Sequence, residues 1–182
     1  VYIPKQKMSD LITGGSDEAH PAFIVDGQEI DGIWISKYQN VVNNGRAYSL
    51  PGEDPKASIT WDTAREACES KGPGWHMMTK AEYALIMLWC RKNGFQPYGN
   101  NNYGKDTRET VYQAIPATYG SGDDAGKIYH VLTGTGPLTW ANNRQMDGFW
   151  VINGKVSEWP GGNPTVNGEI RLLENKNAAN YA

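Results

Sequence analysis

The residues best suited to proton transfer or metal ligation are three histidines, His20, His76 and His130, which stand 56 and 54 residues apart. No i, i+4 or His-X-His spacing presents two imidazoles to one ion, so the pattern does not point to zinc. The two cysteines, Cys68 and Cys90, form no Cys-X-X-Cys pair and are too few for a disulfide framework. Both fall in apolar helical contexts and read as buried thiols. No Gly-X-Ser-X-Gly elbow occurs, and neither cysteine has an activating partner legible in the sequence. Gly134-Thr135-Gly136 lacks the later glycine and the strand-to-helix setting of a dinucleotide loop, and reads as a turn. Oxygen donors cluster at Asp123-Asp124 and again from Asn153 to Glu158. These are the candidate calcium ligands, although neither spacing is that of an EF-hand.

The other concentration of chemistry is aromatic and amide: Trp140, Asn142, Asn143, Arg144, Phe149, Trp150, Trp159 and Asn163. Rigid aromatic rings lose little entropy on binding, and Asn and Arg supply adaptable hydrogen bonds, so such a set can form a recognition surface. Trp150 and Trp159 read as core residues of short strands. Trp140 to Arg144 reads as a polar loop with one aromatic, and is the expected surface site. Seventeen basic against twenty acidic side chains give a formal charge of -3, with no Lys/Arg run to track a phosphate backbone. Nucleic acid is therefore excluded as the expected partner. No apolar run approaches the roughly 18 to 20 residues of a membrane span, and the longest, Tyr83 to Cys90, runs into Arg91 and Lys92. The expectation is a soluble domain without membrane insertion.

These residues must be positioned by a chain of 182 residues, the length of one ordinary domain able to bury roughly 70% of its unfolded surface. The first twenty residues, with Pro4 and Gly14-Gly15, show no steady period and read as an N-terminal extension, leaving 21–182 as the domain. Ala22-Phe23-Ile24-Val25, the turn Asp26-Gly27 and the run Ile30 to Lys37 read as a hairpin. Asn43 to Lys56 reads as a surface loop. Ser58 or Thr60 can cap a helix carrying Trp61, Ala64, Ala67 and Cys68 on one face, ending before Gly72-Pro73-Gly74. Thr79-Lys80-Ala81-Glu82 is a capping box, in which the Thr oxygen and the Glu carboxylate each accept a backbone N–H at the helix start. The second helix that follows is apolar on nearly all sides, so it should be largely buried, and it stops at Lys92-Asn93-Gly94. Beyond it lie long loops, with short strands expected at Ile128 to Leu132, Gly148 to Ile152, Lys155 to Trp159 and Glu169 to Leu173. Asn153-Gly154 is the expected tight turn between the middle two. Two helices, short antiparallel strands and long loops make an α+β domain.

Three segments in order carry a resemblance: Gly32-Ile33-Trp34-Ile35-Ser36-Lys37; Thr60-Trp61-Asp62-Thr63-Ala64 with Gly74-Trp75-His76-Met77-Met78-Thr79-Lys80-Ala81-Glu82-Tyr83; and Asp147-Gly148-Phe149-Trp150 through Asn153-Gly154-Lys155-Val156-Ser157-Glu158-Trp159. Together, over about residues 22 to 173, they resemble the formylglycine-generating enzyme (sulfatase-modifying factor) branch of the C-type lectin fold. The helix to Gly94 followed by Gly99-Asn100-Asn101-Asn102-Tyr103-Gly104-Lys105-Asp106 looks most like the variable proteins of diversity-generating retroelements, which bind ligands through a diversified C-terminal segment. The resemblance implies a C-type lectin-like fold and a non-catalytic receptor-recognition scaffold. It places the chain outside the cell, on a cell surface or on a virion, with a cell-surface or virion protein or glycan as ligand. The enzymes of the branch use late redox-active cysteines or a histidine-rich iron site, whereas the cysteines here sit in the two helices. An oxidoreductase of that type, or a structural phage or surface assembly domain, is the alternative. The family strand motif has Asn and Trp where this chain has Lys155 and Ser157, so no metal is expected, calcium being the one considered. The diversified residues should follow Gly168 to Leu173, which puts Asn177, Asn180 and Tyr181 with Trp140, Asn142, Asn143 and Arg144 in the expected binding set. Ala182 follows Leu173 by nine residues, and the resemblance implies that the variable segment continues beyond it.

Overall fold

A computed structural model describes residues 1–110, 113–150, 161, 165–166 and 169–170. These form three α-helices and short antiparallel strand pairs, an α+β arrangement. The chain divides into two compact units, each assembled from separated segments.

One unit comprises Tyr2–Ile35, Trp61–Gly94 and Trp159–Ala182. Strand β1 (Tyr2–Pro4) pairs antiparallel with β4 (Gly32–Trp34), placing Tyr2 opposite Trp34. Helix α1 (Met8–Leu11) follows and buries Leu11. The expectation of an irregular N-terminal extension is thus corrected, because residues 2–20 carry a paired strand and a helical turn. Gly15 takes part in this packing, since a Cβ there would meet the Met8 carbonyl oxygen at 2.5 Å. The hairpin expected after Ala22 is smaller than its sequence pattern: β2 (Ile24–Val25) pairs with β3 (Gln28–Glu29). Its turn residues, Asp26 and Gly27, both have positive φ (50° and 75°), the conformation of a type I′ turn. The next strand, β4, turns away to β1, with Ile33 and Ile35 inward and Trp34 outward by the period of two.

Helix α2 (Trp61–Glu69) and helix α3 (Lys80–Lys92) occupy the expected positions. The α3 capping box forms as read: Glu82 N–H donates to Thr79 Oγ1 at 3.2 Å, and Thr79 N–H to Glu82 Oε2 at 2.7 Å. Glu82, Leu85, Ile86 and Cys90 line one buried face at helical spacing, and α3 packs against α1 and the 3-10 turn Pro21–Phe23. Full burial of Leu85 and Ile86 contributes roughly 1.5–3 kcal/mol each. The helix is largely buried as its apolar pattern implies: Met87, 40% exposed, is the one exposed residue of 81–90. The helix stops where Asn93 Nδ2 donates to the Trp89 carbonyl at 2.8 Å and Gly94 takes φ 70°. Strands β9 (Thr165–Val166) and β10 (Glu169–Ile170) pair antiparallel in this unit, at the start of the strand expected from Glu169.

The other unit comprises Val1, Ser36–Thr60 and Phe95–Glu158. Part of the expected surface loop is a second hairpin, β5 (Val41–Asn43) with β6 (Arg46–Tyr48), closed by Asn44-Gly45 at φ 51° and 71°. Strand β7 (Pro116–Tyr119) pairs with β8 (Ile128–Val131) through an irregular register. Pro116, which cannot donate to the ladder, stands at the first position of its strand. Ala114, Ile128, Val131, Trp140, Ala141 and Trp150 form the core, with Tyr38 and Tyr98 packed on it. Gly148 to Trp150 form no strand among the described residues, and the strand and turn expected over 151–159 lie outside them. Among the described residues no helix is long and apolar enough to cross a membrane.

Candidate functional site

The 3-10 turn Leu138–Trp140 leads into the segment singled out in the sequence, and it places the first of the expected surface residues inside the unit. Trp140 is 2% exposed, so its expected surface position is corrected. Its ring lies on the backbone of Gly136, where a Cβ would fall 2.2 Å from Trp140 Cε3, and Tyr38 seats likewise on Gly134, at 2.6 Å. Gly134-Thr135-Gly136 is therefore a double aromatic seat, which is why glycine stands at both positions. Trp140 Nε1 donates to Glu109 Oε2 at 2.8 Å, and Thr139 Oγ1 donates to the other oxygen of the same carboxylate.

Glu109 is held by the loop before it. Asp106, fully buried, accepts Gly99 N–H and Asn101 Nδ2 at 3.0 Å each and takes a bidentate Arg108 guanidinium at 2.7 Å. The hydrogen bonds and charge of Arg108 hold its carboxyl down at about 2. Arg108 also lies 3.7 Å from the centre of the Tyr98 ring, and Tyr98 N–H donates to the Thr139 carbonyl at 2.9 Å. The loop thus orients both Glu109 and the turn that carries Trp140.

Asn142 is buried too, which corrects its reading as a surface residue. Its Oδ1 accepts Phe149 N–H at 2.9 Å and its N–H donates to the Phe149 carbonyl at 3.1 Å, closing a loop over residues 143–148. Asn143, half-buried, makes an Asx turn by accepting Gln145 N–H at 3.0 Å, and it donates to Asp147 Oδ1 at 2.9 Å. Arg144 sits at φ 57°, with its guanidinium 5.9 Å from the centre of the Phe95 ring. Gly148 has no room for a side chain, because a Cβ there would lie 2.1 Å from Asn143 Oδ1. The outcome is a fixed loop whose four consecutive residues Arg144, Gln145, Met146 and Asp147 face solvent, Met146 being 61% exposed. Asn177, Asn180 and Tyr181 lie outside the described residues.

A second exposed cluster was not legible in the sequence. Tyr103 and Tyr129 stack with centroids 6.4 Å apart, Lys127 lies 4.8 Å from the centre of the Tyr103 ring, and Tyr129 Oη donates to Asp124 at 2.6 Å. Asp124, half of one expected calcium pair, accepts from both Tyr129 and Lys127, and their hydrogen bonds hold its carboxyl below the usual range. The other candidate ligands, Asn153 and Glu158, lie outside the described residues. Among the described residues no three His, Cys, Asp or Glu side chains gather as a metal site.

The three histidines have different partners. His20, buried, caps the 3-10 turn by accepting Ala22 N–H, and burial lowers its pKa. His130 Nδ1 lies 3.0 Å from Asp54 Oδ1, while Thr118 Oγ1 donates to Asp54 Oδ2 at 2.7 Å. His76 contacts Glu82. Burial pushes the Cys90 thiol up to about 11 and raises that of Cys68, which disfavours the nucleophilic thiolate at both. No protein-family model and no curated protein matches the chain.

Proposed function

We propose that the chain is a non-catalytic recognition domain that binds a cell-surface or virion protein or glycan outside the cell, on a C-type lectin-like scaffold akin to the variable proteins of diversity-generating retroelements. The observation that carries this reading is the division of labour within one short segment. Trp140, Asn142 and Gly148 are committed to packing and hydrogen bonding, while Arg144 to Asp147 are exposed on a backbone closed at both ends. A frame fixed in this way lets contact side chains change at little cost to stability, since exposed substitutions usually shift it by about 0.5 kcal/mol or less. Arg supplies a bidentate donor for carboxylates and Met an adaptable apolar contact, a mixed chemistry suited to a protein or glycan surface.

The test is capture from arrays of purified surface proteins and glycans by the full chain and by a variant carrying Arg144→Ala and Met146→Ala. The reading expects at least one target, capture weakened about tenfold or more in the variant, and unchanged melting. Capture unaffected by the variant would overturn the assignment of this loop. Aerobic conversion of a peptide cysteine to formylglycine would instead establish the oxidoreductase.

A further inference from the structure

We propose that His76, as an imidazolium, is a pH-sensitive latch on the capping box of α3, and that its deprotonation loosens the anchor by which Gly161 is held at that helix start. Both ring nitrogens of His76 face acceptors: Nε2 lies 2.9 Å from Glu82 Oε1 and Nδ1 lies 3.2 Å from the Gly74 carbonyl oxygen. A neutral ring has a single N–H and would turn a lone pair toward one of these oxygens, whereas the protonated ring donates to both. Glu82 is 2% exposed and its other oxygen accepts the N-cap N–H of Thr79, so the carboxylate bridges histidine and helix cap.

The charged groups acting on the ring are Glu82 from α3 and, from α2, Glu69, which itself pairs with Arg65 at 3.1 Å. Both carboxylates favour the charged ring. The Glu82 hydrogen bond is the largest influence and raises the His76 pKa above its ordinary 6.5, against burial, which lowers it. A raised folded-state value means that the contribution is fully present below 6.5 and is lost as pH rises through the folded value. Loss of the proton leaves a buried carboxylate without its cation, at the place where Gly161 is held. Gly161 N–H donates to the Met78 carbonyl at 2.9 Å, Lys80 N–H donates to the Gly161 carbonyl at 3.3 Å, and Thr79 and Gly161 form a parallel bridge. Those bonds share Thr79 and its neighbours with the capping box, so the two must loosen together.

The experiment follows the protection factor of the Gly161 amide against hydrogen exchange across pH in the full chain, beside the NMR titration of the His76 ring. Protection is expected to fall by about tenfold, the equivalent of one charged hydrogen bond, with the midpoint of the ring titration. His76→Gln, which keeps a donor near the Nε2 position but does not titrate, should show no such step. Glu82→Gln, which preserves a capping box but leaves no carboxylate to be stranded, should move the ring titration to lower pH and abolish the step in Gly161 protection. Protection that stays level in the native chain while the ring titrates, or that falls equally in His76→Gln or in Glu82→Gln, overturns the latch.

Discussion

Replacing Asp106 with Asn tests whether the loop over 99–109 braces the turn that carries Trp140. The native carboxylate accepts five hydrogen bonds: two from backbone N–H groups, one from Asn101 and two from the Arg108 side chain. An Asn side chain keeps one oxygen, so its amide hydrogens must face donors on the other side, and the charge opposite Arg108 disappears. Leaving a buried donor unsatisfied costs about 1–3 kcal/mol. The depressed pKa, lowered chiefly by those same Arg108 hydrogen bonds, gives a second figure for the same interaction. A fall from 3.8 to about 2 corresponds to roughly 2 kcal/mol at 1.36 kcal/mol per unit, reduced to about 1–2 because the Arg108 side chain is 34% exposed. We therefore expect Asp106→Asn to destabilise by about 1–3 kcal/mol at neutral pH, which at about 2–4 °C per kcal/mol lowers melting by roughly 2–12 °C. The sign of the pH dependence follows from the depressed value: the charge-dependent part is present above 3.8 and lost as pH falls through about 2. Calorimetry of both proteins from neutral pH down to about 2 should show the gap narrowing in acid. Equal melting at neutral pH, or a gap that does not narrow, would refute the reasoning.

Further predictions rest on other contacts. Trp140→Ala should cost about 3–5 kcal/mol in urea unfolding, since it removes a buried indole and its bond to Glu109. Gly136→Ala, which drives a methyl into that indole, should cost about 1–3 kcal/mol by the same assay. Glu82→Ala should destabilise by about 2–3 kcal/mol in thermal melts, more than the typical 1 kcal/mol of a lost cap, because the carboxylate also holds His76.

Local signals in the sequence were sufficient for some elements. The α3 start was legible because a capping box is a four-residue pattern whose bonds all lie within itself. Asn44-Gly45 is an equally local hairpin signal, but it lies in a run rich in Asn, Gly and Pro whose composition is that of a loop. Features made by distant residues were not legible. Tyr2–Pro4 becomes a strand only through β4, about thirty residues on. His76 joins Glu82 across the turn that precedes the helix, with no periodicity to announce it. Trp140 precedes Ala141-Asn142-Asn143-Arg144, a polar run that reads as surface. The indole is buried because Glu109 and Gly136 provide a partner and a seat, and Asn142 is buried because its amide closes a loop. Residue type and local spacing single out the segment from Trp140 to Trp150, while tertiary contacts decide which of its side chains face solvent.

The central claim is that a fixed frame presents replaceable contact residues, and sequencing the coding region across many isolates tests it most directly. Substitutions are expected at exposed positions 144–147 and at the codons of Asn177, Asn180 and Tyr181, confined to adenines of a nearby imperfect template repeat. The codons of Trp140, Asn142 and Gly148 should stay constant. A uniform sequence at the exposed positions, or variation falling equally on the buried ones, would contradict it.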